Sequence, residues 1–190
     1  MIPALLTLWF ALMVRTQTQA PGIPVEQEPK HRVVLKNDFV RVIDATLLPG
    51  YVTLHHAHDV DNVSVTIASG RGRPGRASFA KGGYSHTVTN AGPEVMRFIV
   101  VEVGKPDHPG SPPVELQNHT LETENNRTRV YRVKLAPGES LQAHRHDSGW
   151  VEVFVTGGAG PGATVWHEGG SSVSLSAGKD MLEVVEIEPK

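Results

Sequence analysis

The sequence contains no cysteine, few aromatic residues and no excess of basic residues. Without cysteine the chain has no disulfide, no thiolate metal site and no cysteine nucleophile. The 18 Lys and Arg residues are balanced by 20 Asp and Glu, so the chain lacks the basic surface that indicates a nucleic-acid partner. It also lacks a long helical pattern, and its 19 glycines and 14 prolines favour a turn-rich β-protein.

A single long apolar run extends from Ile2 to Val14. This run is shorter than the roughly 20 residues that span a bilayer, and small residues follow at Thr18 and Ala20. Residues 1–20 are therefore predicted to be a signal peptide, and the mature chain is predicted to be secreted or periplasmic without stable membrane insertion. No basic residue precedes the run, so an uncleaved anchor or a misassigned start codon stays an alternative.

Two histidine pairs occur in the same local frame, 88 residues apart. His56-Ala57-His58 follows Pro49-Gly50 by five residues, and His144-Arg145-His146 follows Pro137-Gly138 by the same interval. Alternate residues of a strand point to one face, so each pair can direct two imidazoles at one metal ion. The shared frame predicts a duplicated β-domain.

The pattern of prolines and β-branched residues divides the chain into segments. We predict an N-terminal arm at 21–30, an N-terminal barrel at 31–103, a proline-rich linker at 104–118 and a C-terminal barrel at 119–190. The predicted strands are 41–48, 51–56, 64–68 and 97–103 in the first copy, and 128–135, 152–156, 163–166 and 181–187 in the second.

The first copy carries two spaced motifs, formed by Gly50, His56, His58, Gly70, Gly75, Gly83, His86 and Asn90. They resemble the two motifs of the cupin superfamily, G-x5-H-x-H-x3,4-E-x6-G and G-x5-P-x-G-x2-H-x3-N. The resemblance covers most of 37–103 and, more weakly, 125–188, so the mature chain resembles a bicupin. It implies an all-β fold of two tandem jelly-roll barrels, or double-stranded β-helices. It also assigns His56, His58 and His86 as metal ligands.

The chain departs from the family pattern at the ligand positions. Val63 and Val151 stand where the family has a glutamate, and Lys81 replaces a proline. In the second copy Ser172 or Val173 stands where the third histidine would be. The second site is therefore expected to be vestigial, with a weak metal site at His144 and His146 as the alternative.

Other residues near the motifs receive individual predictions. A water, Asp59 or Asp61 is the candidate to replace the missing glutamate in the first copy. Glu152 is expected to be solvated, because strand alternation directs it away from Val151. His167 occupies the proline position of the second copy, which is expected to lie outside the barrel mouth. Tyr84 is expected to be either a packed residue or a ligand contact.

Three imidazoles without a carboxylate suit a divalent transition metal, with Fe, Zn, Mn, Ni and Cu as candidates. Open metal positions would accept a small-molecule ligand. The resemblance implies a metal-dependent oxidoreductase of the dioxygenase type, with an isomerase as a smaller alternative. The rival hypothesis is a non-catalytic cupin protein that binds a metabolite or metal, or that forms a homodimer through its sheets. The sequence identifies no catalytic base.

Overall fold

The structure is a computed structural model that describes residues 22–69, 72–105 and 118–190. These residues form strands and one short 3-10 helix, Val25–Gln27, which confirms the predicted all-β fold. In the described part of the chain, no helix has the length and apolar character needed to cross a membrane. The predicted signal peptide and residues 106–117 of the predicted linker lie outside the described residues.

Residues 22–105 form the N-terminal unit. Its strands are β1 (Ile23–Pro24), β2 (His31–Lys36), β3 (Val40–Leu47), β4 (His56–His58), β5 (Asn62–Ala68), β6 (Ala77–Ala80), β7 (Tyr84–His86) and β8 (Met96–Val103). Five strands pair in the order β2-β3-β8-β5-β6, and a smaller sheet has the order β1-β4-β7. The smaller sheet carries all three predicted metal ligands.

Residues 118–190 form the C-terminal unit. Its strands are β9 (His119–Glu124), β10 (Thr128–Leu135), β11 (Ser140–His144), β12 (Trp150–Thr156), β13 (Thr164–His167), β14 (Val173–Ser176) and β15 (Leu182–Pro189). The large sheet has the order β9-β10-β15-β12-β13, which repeats the strand order of the N-terminal sheet. The small sheet pairs β11 with β14.

The large sheets divide their side chains by strand alternation. On β3, Val40 and Val42 face the other unit, whereas Ile43 packs inside its own unit against Val25 and Val100. The two large sheets thus share one apolar layer, because β-branched residues of both pack together. This valine layer contains Val40, Val42, Val63, Val65, Ile67, Ile99, Val101, Val130, Val151, Val153, Val155, Val185 and Ile187.

Two contacts between the units lie beside the valine layer. The ring of Phe39 stacks on Trp166 of the C-terminal unit, with centroids 5.5 Å apart and planes 11° apart. Arg127, 88 residues after Phe39, donates a hydrogen bond from Nη2 to the carbonyl oxygen of Gly104, at 2.6 Å. Phe39 and Arg127, which occupy equivalent positions in the two copies, thus each contact the opposite unit.

The segment before each histidine pair begins with a tight turn. Gly50 has φ +79° and Gly138 has φ +78°, a left-handed conformation that glycine adopts without a Cβ clash. The prediction of a strand at 51–56 is wrong, since Val52 makes an isolated bridge and the strand comprises His56–His58. A packed turn, rather than a regular strand, leads into the histidines.

The predicted N-terminal arm is packed onto the histidine-bearing strand. β1 pairs in parallel with β4, with Ile23 opposite His56. The buried carboxylate of Glu28 accepts hydrogen bonds from the Tyr51 hydroxyl, at 2.8 Å, and from the Leu54 backbone N–H, at 2.7 Å. The arm therefore helps to fix the position of His56.

Candidate metal centres

The structure brings the three predicted N-terminal ligands together. His56 and His58 point inward from β4, and His86 lies directly opposite His56 on β7. Each histidine offers a ring nitrogen within 4.8 Å of the others, and the Nε2 atoms of His56 and His86 are 3.0 Å apart. These three side chains form the N-terminal histidine group.

Hydrogen bonds orient two of the rings so that Nε2 faces the group. His56 Nδ1 lies 2.9 Å from the carbonyl oxygen of Leu54, and His58 Nδ1 lies 3.2 Å from Oε1 of Glu102. Arg41 donates to the other oxygen of Glu102. Such partners on the far ring nitrogen fix the tautomer of a metal-binding histidine, which leaves its Nε2 lone pair for the metal.

The charge states in this region suit metal binding. Burial lowers the pKa of His86 to about 4, with further lowering by His56 and His58, so its imidazole is neutral at neutral pH. Burial alone would raise the pKa of Glu102, but hydrogen bonds from His58 and Arg41 outweigh it and lower that pKa. A neutral imidazole is the form of histidine that transition metals bind, and a carboxylate on the far nitrogen of a metal-binding ring holds that ring in place.

A cavity of about 230 Å³ lies beside the N-terminal histidine group. Its wall is formed by His31, Ala45, Leu47, His58, Asn62, Ser64, Ser78, Phe79, Ala80, Tyr84, His86, Val88, Phe98 and Val100. Tyr84 stacks on His58 with centroids 5.0 Å apart, and its hydroxyl accepts a hydrogen bond from Asn62 Nδ2 at 3.2 Å. Tyr84 is thus both packed and in the cavity wall.

The predicted position of the missing glutamate is wrong by one residue. Val63 is fully buried in the valine layer, on the face of β5 that turns away from the cavity. Asn62, at the shorter of the two motif spacings, lines the cavity instead. Neither position supplies a carboxylate, so the absence of this ligand is unchanged.

The two aspartates considered as replacement ligands lie elsewhere. Asp59 is exposed, and Asp61 accepts a hydrogen bond from the Gly82 backbone N–H at 2.8 Å. His31, which the sequence analysis did not single out, lies in the cavity wall with its ring centroid 4.7 Å from that of His56. A further histidine therefore lies beside the group, and with Glu28 and His56 it forms another set of side chains that could hold a metal ion.

The C-terminal unit assembles four metal-binding side chains. His144 ends β11, His146 follows two residues later, His119 begins β9 and Glu186 lies on β15. Each offers one ligand atom within 4.8 Å of the others. The Glu186 carboxylate lies 3.0 Å from His119 Nε2, 3.2 Å from His144 Nε2 and 3.0 Å from His146 Nε2. We call these four residues the C-terminal ligand group.

This group counts against the prediction of a vestigial second site. Val173 lies opposite His144 as His86 lies opposite His56, so the third histidine of the motif is indeed replaced. The sequence analysis missed His119 and Glu186, which come from outside both motifs. A signal for His119 was available, because it follows His31 by the same 88 residues that separate the histidine pairs.

An arginine–glutamate–histidine chain supports the second histidine of each pair. In the C-terminal unit, Arg129 Nη1 donates to Glu188 at 3.0 Å, and the other oxygen of Glu188 lies 3.4 Å from His146 Nδ1. Burial disfavours the charged form of His146, but Glu186 and Glu188 outweigh it and raise the pKa of His146 to about 9. The equivalent chain in the N-terminal unit is Arg41, Glu102 and His58.

The predictions for Glu152 and His167 also need correction. Glu152 is buried and lies 2.9 Å from His167 Nε2, because it faces the interior, opposite Glu186 on β15. The ring of His167 stacks on Trp150, which is fully buried, with centroids 4.7 Å apart. His167 lies outside the C-terminal ligand group. It fills the interior rather than ligating.

Solved structures with the same fold include three that cover most of the chain. They are AerE from Microcystis aeruginosa (TM-score 0.64, 12% identity, 90% of this chain and 97% of that one), an oxalate decarboxylase from Bacillus subtilis (0.56, 12%, 83% and 71%) and a salicylate 1,2-dioxygenase from Pseudaminobacter salicylatoxidans (0.52, 13%, 84% and 76%). No family model matches the sequence, and the search of curated proteins finds no match. These likenesses show that the chain has the cupin fold.

Proposed function

We propose that this cupin-fold protein binds a divalent transition metal through His56, His58 and His86 and acts on a small, uncharged organic molecule in the adjoining cavity. The observation that carries the proposal is the convergence of the three rings beside an open cavity, whose wall includes His58 and His86. Two of the rings are already oriented for metal binding by Leu54 and Glu102. A bound metal would supply Lewis-acid or redox chemistry at this point.

The cavity wall limits the class of ligand. Its volume of about 230 Å³ is below the range of pockets for drug-sized ligands, and the wall is mostly apolar. No lysine or arginine lines it, so an anionic substrate would find no cationic partner among the wall residues. Ser64, Ser78 and Tyr84 offer hydrogen bonds to a hydroxyl or carbonyl group. A neutral phenol or β-diketone fits this chemistry.

Within this site the chain's own residues have separate roles. His56, His58 and His86 would hold the metal, while Glu102 keeps the ring of His58 in place. His31 lies in the cavity wall and can contact the ligand there. Reaction chemistry of the dioxygenase type, or an isomerisation, is the activity we propose by analogy with the fold.

A specific observation favours a second candidate, a non-catalytic binding protein. The cavity wall contains no carboxylate, and burial lowers the pKa of His31 to about 4, so His31 is a weak base. A site without a strong base can capture a ligand without converting it. The two candidates differ in turnover and agree in metal binding.

Metal analysis tests the proposal. His86→Ala should lower the ratio of transition metal to chain by about one relative to wild type, because two histidines hold a metal weakly. His55→Ala is the matched control, since His55 neighbours His56 and lies outside the group. Equal metal content in wild type and His86→Ala would refute the proposed site.

Turnover assays then separate enzyme from binding protein. Wild-type protein loaded with Fe²⁺ should consume dioxygen with catechol or acetylacetone, and His86→Ala should not. If wild type binds these probes by calorimetry yet consumes no dioxygen and returns them unchanged, the binding candidate is supported and the dioxygenase candidate is rejected.

Export is a separate part of the proposal. It is supported by the apolar run at 2–14 and by the small residues before position 21. N-terminal sequencing of the protein recovered from the periplasm or medium should give a chain that begins near residue 21. A chain that remains in the cytoplasm with residues 1–20 intact would contradict export.

A further inference from the structure

The C-terminal ligand group has the donor set of a complete metal site. Three imidazole Nε2 atoms converge on one carboxylate, at 3.0 to 3.2 Å. Ligand atoms around a tetrahedral Zn²⁺ are about 3.4 Å apart when each bond is near 2.1 Å. Small outward movements of His119, His144, His146 and Glu186 would therefore admit the ion.

The carboxylates around the group pair mainly with histidines. Glu152, Glu186 and Glu188 are all buried inside the C-terminal unit. Within residues 22–69, 72–105 and 118–190, Arg129 is the one arginine or lysine that forms an ion pair with any of these three carboxylates. A divalent cation at Glu186 would add positive charge where three buried carboxylates face one arginine and several histidines.

The C-terminal unit also keeps the apparatus that orients a metal-binding histidine. Arg129, Glu188 and His146 repeat the chain formed by Arg41, Glu102 and His58 in the N-terminal unit. A carboxylate on the far ring nitrogen directs Nε2 of His146 toward the group. The chain of Arg129, Glu188 and His146 is therefore the arrangement expected of a histidine that binds a metal.

The space next to the group is occupied by large side chains. Trp150 and His167 pair across β12 and β13, at the place where Asn62 and Ala80 pair in the N-terminal unit. Glu152 pairs with Glu186 in the C-terminal unit, and the equivalent pair in the N-terminal unit is Ser64 and Val100. The three smaller residues Asn62, Ser64 and Ala80 line the N-terminal cavity. Larger side chains at the equivalent positions close the C-terminal interior to substrates.

We propose that His119, His144, His146 and Glu186 hold a second divalent metal, Zn²⁺ by its donor set, in a closed four-ligand centre. This centre stabilises the fold and takes no substrate. Four protein ligands without an open position are typical of structural zinc sites, whereas catalytic sites keep a position for water. Two of the ligands, His119 and Glu186, lie outside both sequence motifs.

Metal content in a variant that lacks the N-terminal group tests the proposal directly. The variant His56→Ala/His58→Ala/His86→Ala should retain about one Zn²⁺ per chain after purification. Adding Glu186→Gln should lower this ratio at least about fivefold, because the amide is a poor zinc ligand. Glu183→Gln is the matched control on the same strand, since Glu183 faces the other side and pairs with Arg132.

Thermal unfolding of the triple variant gives a readout that does not depend on folding of the Glu186 variant. Removal of zinc with a chelator should lower Tm by about 10 °C, and added Zn²⁺ should restore it. A triple variant that contains no metal and whose Tm does not respond to chelator or Zn²⁺ would overturn the proposal. The group would then be a metal-free network of three histidines around Glu186.

Cobalt substitution tests whether the centre is closed. The triple variant loaded with Co²⁺ should show the visible absorption of a four-coordinate ion, and added azide should leave the spectrum unchanged. A spectrum that shifts on azide addition would show an open coordination position and refute the closed centre. Because the N-terminal group is absent from this variant, the result is independent of the function proposed for that group.

Discussion

The N-terminal and C-terminal units share one strand order but use their interiors differently. In the N-terminal unit three histidines stand beside an open cavity, and Glu28 lies near His56 but outside the group of three. In the C-terminal unit a glutamate completes the ligand group, and Trp150 and His167 fill the adjoining space. With the roles proposed above, the same scaffold would use one unit for reactivity and the other for stability, because an open metal position and a filled interior exclude each other. The predictions below exchange or remove the residues that create this difference.

Opening the C-terminal interior should have the largest effect. Trp150→Asn introduces the side chain that Asn62 has at the equivalent position of the N-terminal unit. It should lower the free energy of unfolding by about 3–5 kcal/mol, because removal of a fully buried indole leaves a cavity. Urea denaturation measures the change. Trp150→Phe is the control, and it should lose clearly less; equal losses would show that indole volume is not the cause.

Removing the aromatic contact between the units should cost less. Phe39→Ala deletes the half-buried ring that stacks on Trp166 and should lower the free energy of unfolding by about 2 kcal/mol. Phe39→Leu should recover most of the loss, since it keeps the apolar area. If denaturation finds Phe39→Ala as stable as wild type, the stack does not hold the units together.

Closing the N-terminal cavity should change binding more than stability. Asn62→Trp places an indole where the C-terminal unit has one, and it should weaken catechol binding at least about tenfold while the metal content stays constant. Asn62→Ala is the control, because both variants lose the hydrogen bond to Tyr84 and only one fills the cavity. Unchanged calorimetric affinity in Asn62→Trp would place the ligand elsewhere.

The smallest effect concerns an ion pair whose charges are reversed between the units. Asp44 pairs with Arg97 in the N-terminal unit, and Arg132 pairs with Glu183 at the equivalent positions. Burial would raise the pKa of Asp44, but hydrogen bonds from Arg97, Arg32 and Thr46 lower it below its usual 3.8. The stabilisation from this carboxylate is therefore present above pH 3.8 and is lost as the pH falls through the lowered pKa.

Asp44→Asn should accordingly lower the free energy of unfolding by about 1 kcal/mol at pH 7. The difference from wild type should shrink as the pH falls below 3.8, because the wild-type carboxylate then becomes protonated. Urea titrations at pH 7 and pH 3 measure both values. A difference that grows toward acid pH would contradict the sign of the pKa shift.

The sequence motifs predicted the fold, all three N-terminal histidines and two of the four residues of the C-terminal ligand group. Residues of a histidine pair are close in sequence, so strand alternation alone brings His56 near His58. His119 and Glu186 join the other pair through pairing of distant strands, which local spacing does not encode. The 88-residue offset still relates His31 to His119, and an 86-residue offset relates Glu102 to Glu188. Applied to every histidine and acid, these offsets would have identified the second group in part.

Alternation also explains which predictions failed. Val63 and Val151 were aligned with the family glutamate, yet both lie in the valine layer because the interior positions are one residue earlier. Glu152 lies on the opposite face of the strand from Val151 and therefore points into the interior, although it was predicted to be solvated. All three predictions depended on placing four residues, instead of three, between the second histidine of the pair and the family glutamate.

The valine layer links the two units thermodynamically. Among the described residues, each large sheet buries its outer face against the other, so unfolding of one unit would expose the apolar face of its neighbour to water. We therefore expect one cooperative transition instead of two. A ligand bound in one unit would then raise the unfolding free energy of both, so the ion proposed for the C-terminal unit would also stabilise the N-terminal cavity.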